Sequence, residues 1–484
     1  MTGNTNENRN AVFNIIKSVC AIIYPLITFP YVSRVLMAEN LGKISFANSI
    51  VSYFSLIASL GVTTYAIREC AKVRDDNRKS GETASQILSI NVLSTVIAYF
   101  FLGITLIAAK PLENYRLLIC IQSLSIACLT FGADWLNTAM EDIKSIAIRT
   151  VVMQMVSLIL MFLLVREPSH YIRYVMITVI ASSGTNVANI FYRRKYCRTK
   201  LTVQMELKKH LPPILLLFCM MVSQTLYCNS DITLLGLMKG DFEVGLYSTA
   251  VKIYNLINTM VASVAWVVMP KLSLGFAKKD YCEINRLLKY SLNFIIVLGL
   301  PCLVGMNIIA PQLIETLAGT EYLGATVSLH ILSVSLAFSF IGGWIGNMMM
   351  LPSGRELLCL KSCVICSVVN VALNLVLIPV WGLNAAAATT ALAELIGIFI
   401  MLPHIDKEIR VDGLWKMIKA PLIGAGGILV IGACAKVLFH SAIVIVCVTI
   451  AVSVLFYGSL LLLLKNEFIL GFVKPILVKI KGEK

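Results

Sequence analysis

Charge is scarce in this sequence. Only 14% of the 484 residues are Asp, Glu, Lys or Arg, whereas 58% are hydrophobic. Soluble domains carry about 25% charged residues, and the deficit runs the length of the chain because apolar stretches recur from Ala11 to Leu464. A soluble globular fold and a single membrane anchor are both excluded by this pattern. Acidic residues are the scarcer sign, 26 against 41 Lys and Arg. Other features are missing too. No small-residue cleavage site follows the polar opening MTGNTNENRN, so no removable signal peptide is expected. No GxxxxGK[ST] phosphate loop occurs, so ATP hydrolysis by this chain has no support.

The 14 cysteines invite a metal or disulfide interpretation, yet most lie inside apolar runs, where a thiol packs as a small hydrophobe. Cys363 and Cys366 have CxxC spacing without a second pair or a histidine cluster, and packing is the simpler account. Neither a metal nor a cofactor is expected.

Dividing the chain at its polar breaks, with about 20 apolar residues per span, predicts an all-α polytopic membrane protein of about fourteen helices. The first two spans are 11–36 and 44–67, the fourth 116–139, the seventh and eighth 211–238 and 246–269, and the last two 418–438 and 442–464. With the N-terminus inside, about three quarters of the Lys and Arg fall in cytoplasmic segments, and the positive-inside rule then places both termini in the cytoplasm. This bias explains the net charge of +15 better than a nucleic-acid partner does, and the run RRKYCRTK from Arg193 to Lys200 becomes an orientation signal. Short external loops leave no room for a catalytic domain, which argues against a membrane-embedded polymerase or ligase and for a protein that is not an enzyme.

An internal repeat is visible. Gly42, Ser45 and Ala47 align with Gly245, Ser248 and Ala250 at one constant offset, and the same offset sets Arg68 against Lys271. The offset spans an even number of helices, so the halves share an orientation and are related by a pseudo-two-fold axis along the membrane normal. Parallel repeats of this kind belong to transporters that rock two bundles about a central site. The expected organisation is a six-helix bundle over 1–192, a basic cytoplasmic linker over 193–210 and a second six-helix bundle over 211–403. Residues 404–484 then form a loop, helices 13 and 14 and a basic tail.

Ionisable side chains inside spans cost about 2.5–3.5 kcal/mol on insertion scales, which makes each a candidate for a bundle interior or a watery cavity. Lys17 sits near the inner end of the first span, on a helix that Pro25 and Pro30 should bend; snorkelling to the headgroups is its competing role. Asp231, after Asn229 and Ser230, and Lys252, with Tyr254, Asn255 and Asn258, lie at similar depth in neighbouring spans. They either lock two helices together or present charge to an anion. Asp134 and Trp135 stand near the inner end of the fourth span, where boundary anchoring competes with function. Glu394 follows the small-residue run from Asn384 to Thr390, which lets helices approach closely. Arg34 and Lys436 are near enough to the external surface to snorkel.

Five blocks resemble a known family: FPYVSRVL from Phe29 to Leu36, Phe46 to Lys72, ADWLNTAMEDIKSIAIR from Ala133 to Arg149, VGLYSTAVKIY from Val244 to Tyr254, and Pro379 to Glu394. Over nearly its whole length the chain is similar to the polysaccharide flippases of the multidrug/oligosaccharidyl-lipid/polysaccharide exporter superfamily, particularly the lipid-linked O-unit and capsule-repeat flippases. The family pattern usually has Gly after Arg-Val-Leu, where this chain has Met37, and aromatic-Gln-Gly after Asp-Trp-Leu, where it has Asn137-Thr138-Ala139.

The resemblance implies two bundles in a V around a cationic cavity in a bacterial inner membrane. The implied substrate is undecaprenyl-diphosphate carrying an oligosaccharide for O-antigen, capsule or exopolysaccharide. Lys17, Arg34 and Lys252 would face the diphosphate. Asp231 and Glu394 would couple release to a proton or sodium ion, with polymerase and chain-length proteins as candidate partners beside the membrane lipids. The physical need is plain, since the hydrogen bonds of sugar and diphosphate would go unmet in hydrocarbon. An ion-coupled multidrug exporter on the same scaffold is the main alternative, and it would want acidic cavity residues to outnumber basic ones.

Overall fold

Helices account for the regular structure throughout. The computed structural model describes residues 2–197, 199–464, 466 and 468, and no strand occurs among them; the basic tail expected at the end of the sequence falls outside the described residues. Among the described residues, twelve helices are long and apolar enough to cross a membrane, or thirteen if the bent pair Asp241–Ala262 and Val267–Lys278 is one span. The two N-terminal spans expected at 11–36 and 44–67 are two helices that meet without a loop. They form Thr2–Ser59, two helices joined across a kink at Met37 (φ 67°, ψ 168°). At 1.5 Å per residue its 58 residues far exceed the ~30 Å hydrocarbon thickness, so the kink separates two span-length arms. The turn expected between the last two spans is in place, between Leu414–Leu438 and Ala442–Leu463.

The chain divides into two compact units, Met1–Gly245 and Leu246–Lys484. In the first, the kinked helix is the spine, packed against Asn77–Ala108, Arg116–Gly132, Ile143–Leu164 and Leu207–Lys239. Its second arm ends at Leu60 and Gly61, both with positive φ. The Ala58 carbonyl near that end accepts from Asn91 Nδ2 at 2.7 Å and Ser94 Oγ at 2.6 Å. Such bonds are needed because a helix terminus leaves carbonyls without intrahelical partners and hydrocarbon offers none. An apolar cluster that includes Tyr65, Ile87, Trp135 and Leu136 closes one end of the unit. Beside it Tyr65 Oη meets His210 Nδ1 at 2.7 Å, and His210 Nε2 meets Gln86 Oε1 at 3.0 Å. Helix Leu207–Lys239 is held to the spine by Tyr53 Oη to Thr233 Oγ1 at 3.0 Å and Thr233 Oγ1 to Ser49 Oγ at 2.9 Å.

In the second unit Leu383–Met401 lies against both Thr326–Ile345 and Glu356–Trp381. The run Ala385, Ala386 and Ala387 is fully buried, since small side chains let helices touch. Buried Asn370, Asn374 and Thr389 satisfy one another, with Thr389 Oγ1 donating to Asn374 Oδ1 at 2.6 Å and Asn374 Nδ2 to Asn370 Oδ1 at 3.1 Å. A π-helical turn, Gly346–Met350, follows Thr326–Ile345.

Candidate functional site

The first unit gathers charge around the short helix Asp134–Ala139. Ala133 takes a left-handed conformation (φ 48°) after helix Arg116–Gly132 ends, and this turn presents Asp134 and Trp135 together. Arg149, from Ile143–Leu164, reaches back so that its Nη2 stands 3.8 Å from Asp134 Oδ1. Its Nη1 donates to Asn189 Oδ1 at 2.7 Å, and its guanidinium lies over the Tyr192 ring, 4.9 Å from the centroid. Asn189 is completed by Asn137 Nδ2 at 2.5 Å and by its own donation to the Gly132 carbonyl at 2.7 Å. Lys17 stands within electrostatic reach of Asp134. The structure therefore brings together two expected residues, Lys17 and Asp134, with a third the sequence did not single out.

Several polar atoms here are buried without a hydrogen-bond partner: Asp134 Oδ1, Trp135 Nε1, Asn137 Oδ1 and Arg149 Nη2. Such groups cost roughly 1–3 kcal/mol each unless satisfied. Asp134 and Trp135 also line a small cavity of about 50 Å³ with Ser55, Ser59, Thr63 and Asn91. That is room for water, and the hydroxyls and amide of the wall supply its hydrogen bonds. The arrangement is a guanidinium–carboxylate pair held short of direct contact beside a polar hollow, able to exchange a proton, a water or an anionic group.

A second polar knot flanks it. Asp142 caps helix Ile143–Leu164, accepting from Ser145 N at 3.2 Å, Ser145 Oγ at 2.8 Å, Tyr192 Oη at 2.7 Å and Tyr196 Oη. Burial alone would raise this carboxyl, but the hydroxyls of Tyr196, Tyr192 and Ser145 outweigh it and hold the group down to about 2.

The other expected residues belong to both units. Arg34 is exposed, with Nη1 donating to the Pro30 carbonyl one turn back at 2.8 Å. Asp231 is buried in the first unit, 5% exposed, within electrostatic reach of Tyr53. Lys252 belongs to the second unit and is open on its surface. Asn258, one and a half turns further on, donates to Ser339 Oγ at 3.4 Å and lines a cavity of about 140 Å³ with Trp344 and Asn347 beside the π-helical turn. Glu394 is half-buried near Gly342, where an added Cβ would lie 3.8 Å from its Oε2. Arg149 was missed because it closes a block whose acidic and aromatic residues drew attention first; its spacing of four from Ser145, at the start of a helix, was the available signal.

One close approach uses the glycines of the repeat. An added Cβ on Gly42 would fall 1.7 Å from the Asp241 carbonyl oxygen, and one on Gly245 would fall 2.0 Å from that of Ala38. Ala38 and Asp241 are themselves one repeat offset apart, so the two contacts are reciprocal. Asp241 is fixed by Tyr115 Oη at 2.6 Å.

Comparison with known proteins agrees with this architecture. The chain is 22% identical over 395 residues to a Shigella dysenteriae protein named "Putative O-antigen transporter", covering 78% of this chain and 95% of that one. It is 23% identical to the capsular polysaccharide biosynthesis protein CapF of Staphylococcus aureus, over 81% of this chain and 96% of the relative. The fold matches the inward closed conformation of the lipid II flippase MurJ with a TM-score of 0.73 at 17% identity, covering 94% of this chain and all of that one. The model of the family described as polysaccharide biosynthesis protein matches residues 8–276, more than half of the sequence, and this multi-pass membrane chain belongs to that family.

Proposed function

We propose that the chain is a flippase that carries an undecaprenyl-diphosphate-linked oligosaccharide from the cytoplasmic to the external leaflet of a bacterial plasma membrane, for surface polysaccharide synthesis. The observation that carries this reading is the family match over 8–276 on a chain built of membrane-length helices. In this reading both termini are cytoplasmic, the bundles 1–192 and 211–403 alternate in access, and the basic stretch 193–210 joins them.

The chemistry of the side chains supports an anionic cargo. Lys17 and Arg149 concentrate positive charge around one largely buried carboxylate, Asp134, and Lys252 offers a further ammonium on the open surface of the second unit. Arg34 adds a guanidinium suited to bidentate phosphate contact. Asp231 and Glu394 are the groups available to couple release to a proton or sodium ion, and polymerase and chain-length proteins would take the delivered unit.

The test is translocation by the purified chain in liposomes loaded on one side with lipid-linked oligosaccharide, read by a lectin that cannot cross the bilayer. Wild-type protein should expose the glycan, and Lys252→Ala should slow exposure roughly ten-fold, the worth of one charge-assisted contact. Folded wild-type protein that leaves the glycan on its original side would end the proposal.

A further inference from the structure

The second unit contains a basic hollow that the transport reading does not use. It is a void of about 330 Å³ lined by Lys289 and Asn293, by Gly413, Lys416 and Lys419, and by Asn466 beyond the last helix. No carboxylate of a described residue lines it. The sequence builds it in a simple way. Asn285, Lys289 and Asn293 are spaced four apart and share one face of helix Tyr281–Ile308. Asn285 clamps the incoming loop, its Nδ2 donating to the Glu408 carbonyl at 3.1 Å and its Oδ1 accepting from Arg410 N at 3.0 Å. That clamp, one turn before Lys289, leads the chain into Gly413 (φ 79°), the left-handed residue that opens helix Leu414–Leu438. Lys416 and Lys419 then follow in its first two turns.

The hollow therefore combines three ammonium groups with the N-terminus of a 25-residue helix, both favourable to an anion. An independent sign of an occupant is Asn293. It is 7% exposed, lines the void, and its Oδ1 has no hydrogen-bond partner. At about 330 Å³ the hollow is several times the size of the cavity beside Asp134 and has room for more than a lone ion. The rest of its lining is apolar, Met417, Ala420 and Leu464, while the adjacent Trp415 is 70% exposed, as an indole is at a membrane interface. Ammonium groups beside an apolar lining are the profile of a lipid headgroup and the root of its chains.

We propose that this hollow binds the phosphate-bearing headgroup of a membrane lipid, with Lys289, Lys416 and Lys419 neutralising the phosphate and Asn293 bonding the groups beside it. The site is independent of the transport reading and stands or falls without it.

Native mass spectrometry of the purified full-length chain in neutral detergent tests it, titrating phosphatidylglycerol, phosphatidylcholine, undecaprenyl phosphate and inorganic phosphate. Phosphatidylglycerol should bind at one site at least ten-fold tighter than phosphatidylcholine. A surface lysine is worth about five-fold in affinity for an anionic lipid. Lys416→Gln alone should therefore weaken binding about five-fold, and Lys289→Gln, Lys416→Gln and Lys419→Gln together roughly a hundred-fold, with the corresponding Lys→Arg set retaining it. The charge-matched set Lys278→Gln, Lys279→Gln and Lys361→Gln, exposed in the same unit, should leave affinity unchanged. Preferential binding of undecaprenyl phosphate over phosphatidylglycerol would identify the polyprenyl lipid as the occupant. Equal loss in the control set, no preference over phosphatidylcholine, or displacement by inorganic phosphate at equal concentration would overturn the assignment.

Discussion

Met37 carries a backbone cost that a single substitution can measure. Its φ of 67° and ψ of 168° lie in a region occupied almost solely by glycine, and holding another residue there costs about 1–3 kcal/mol. The flanking Leu36 and Ala38 are fully buried, whereas Met37 is 42% exposed, so packing of its neighbours over-determines the kink and its own side chain contributes less. Met37→Gly mixes two effects, relief of strain and loss of side-chain contacts. The comparison with Met37→Ala removes the second. Glycine should recover the 1–3 kcal/mol of strain and give back about 0.5–1 kcal/mol through the greater freedom of the unfolded chain, leaving it ahead of alanine by up to about 2.5 kcal/mol. In an ordinary helix interior the order is reversed, with alanine ahead by about 1 kcal/mol. Thermal unfolding of the two variants in the same detergent reads the order directly, without a two-state assumption that a chain of this size would not meet. Alanine melting at or above glycine would show that position 37 is not strained and would remove the kink as a fixed feature.

Gly42→Ala should lower the melting temperature and destabilise by about 1–3 kcal/mol, as overpacking does, because its Cβ would meet a backbone carbonyl at 1.7 Å. Gly245→Ala should match it, and a tolerated Gly42→Ala would show that the close approach is absent in the membrane. Arg149→Gln should destabilise by about 1–3 kcal/mol, the worth of a charge-assisted bond, and adding Asp134→Asn should cost less than it does alone, because the carboxylate has already lost its partner; strict additivity in this cycle would deny their coupling. Asp142 has a depressed pKa, so its stabilisation is full above the ordinary carboxylate value near 4 and is lost as pH falls toward about 2. Wild-type melting should therefore drop more steeply than that of Asp142→Asn between those values, and parallel curves would assign the acid sensitivity elsewhere.

Membrane-spanning character and the family could be seen in the sequence because both are written in composition and contiguous blocks. The length of the break between the first two spans could not. The polar stretch Met37 to Lys43 reads as a loop between spans, yet the break is confined to Met37; Asn40 Nδ2 satisfies the Leu36 carbonyl at 3.1 Å and that of Pro168 at 3.0 Å, and Lys43 pairs with Glu39 at 2.7 Å one turn back. These local bonds let the second helix begin directly after the kink, in a segment too polar for hydrocarbon. The candidate site was half legible for a related reason. Depth in a span flags Lys17 and Asp134 individually, because each is costly where it stands. Arg149 lies in the second turn of its helix, near enough to the span boundary to pass for an interfacial charge, and only tertiary packing shows that its guanidinium bonds Asn189 and stands 3.8 Å from Asp134.

The repeat glycines join these threads. Three identities at a constant offset are weak evidence in apolar sequence, since small residues recur there for packing alone. The structure gives both positions a physical reason to be glycine. Gly42 faces the Asp241 carbonyl and Gly245 faces the Ala38 carbonyl, so residue i of one segment meets the counterpart of residue i − 4 in the other, in both directions. Reciprocity of that form is what a two-fold relation imposes on a contact, and it requires the smallest side chain at both equivalent positions at once. If the relation holds, a bulky residue at either glycine forces the same separation, and the double variant Gly42→Ala with Gly245→Ala costs less than the sum of the two. The first substitution has already opened the contact that the second would crowd. Fully additive losses would mean two unrelated clashes, and the sequence match between the segments would revert to coincidence.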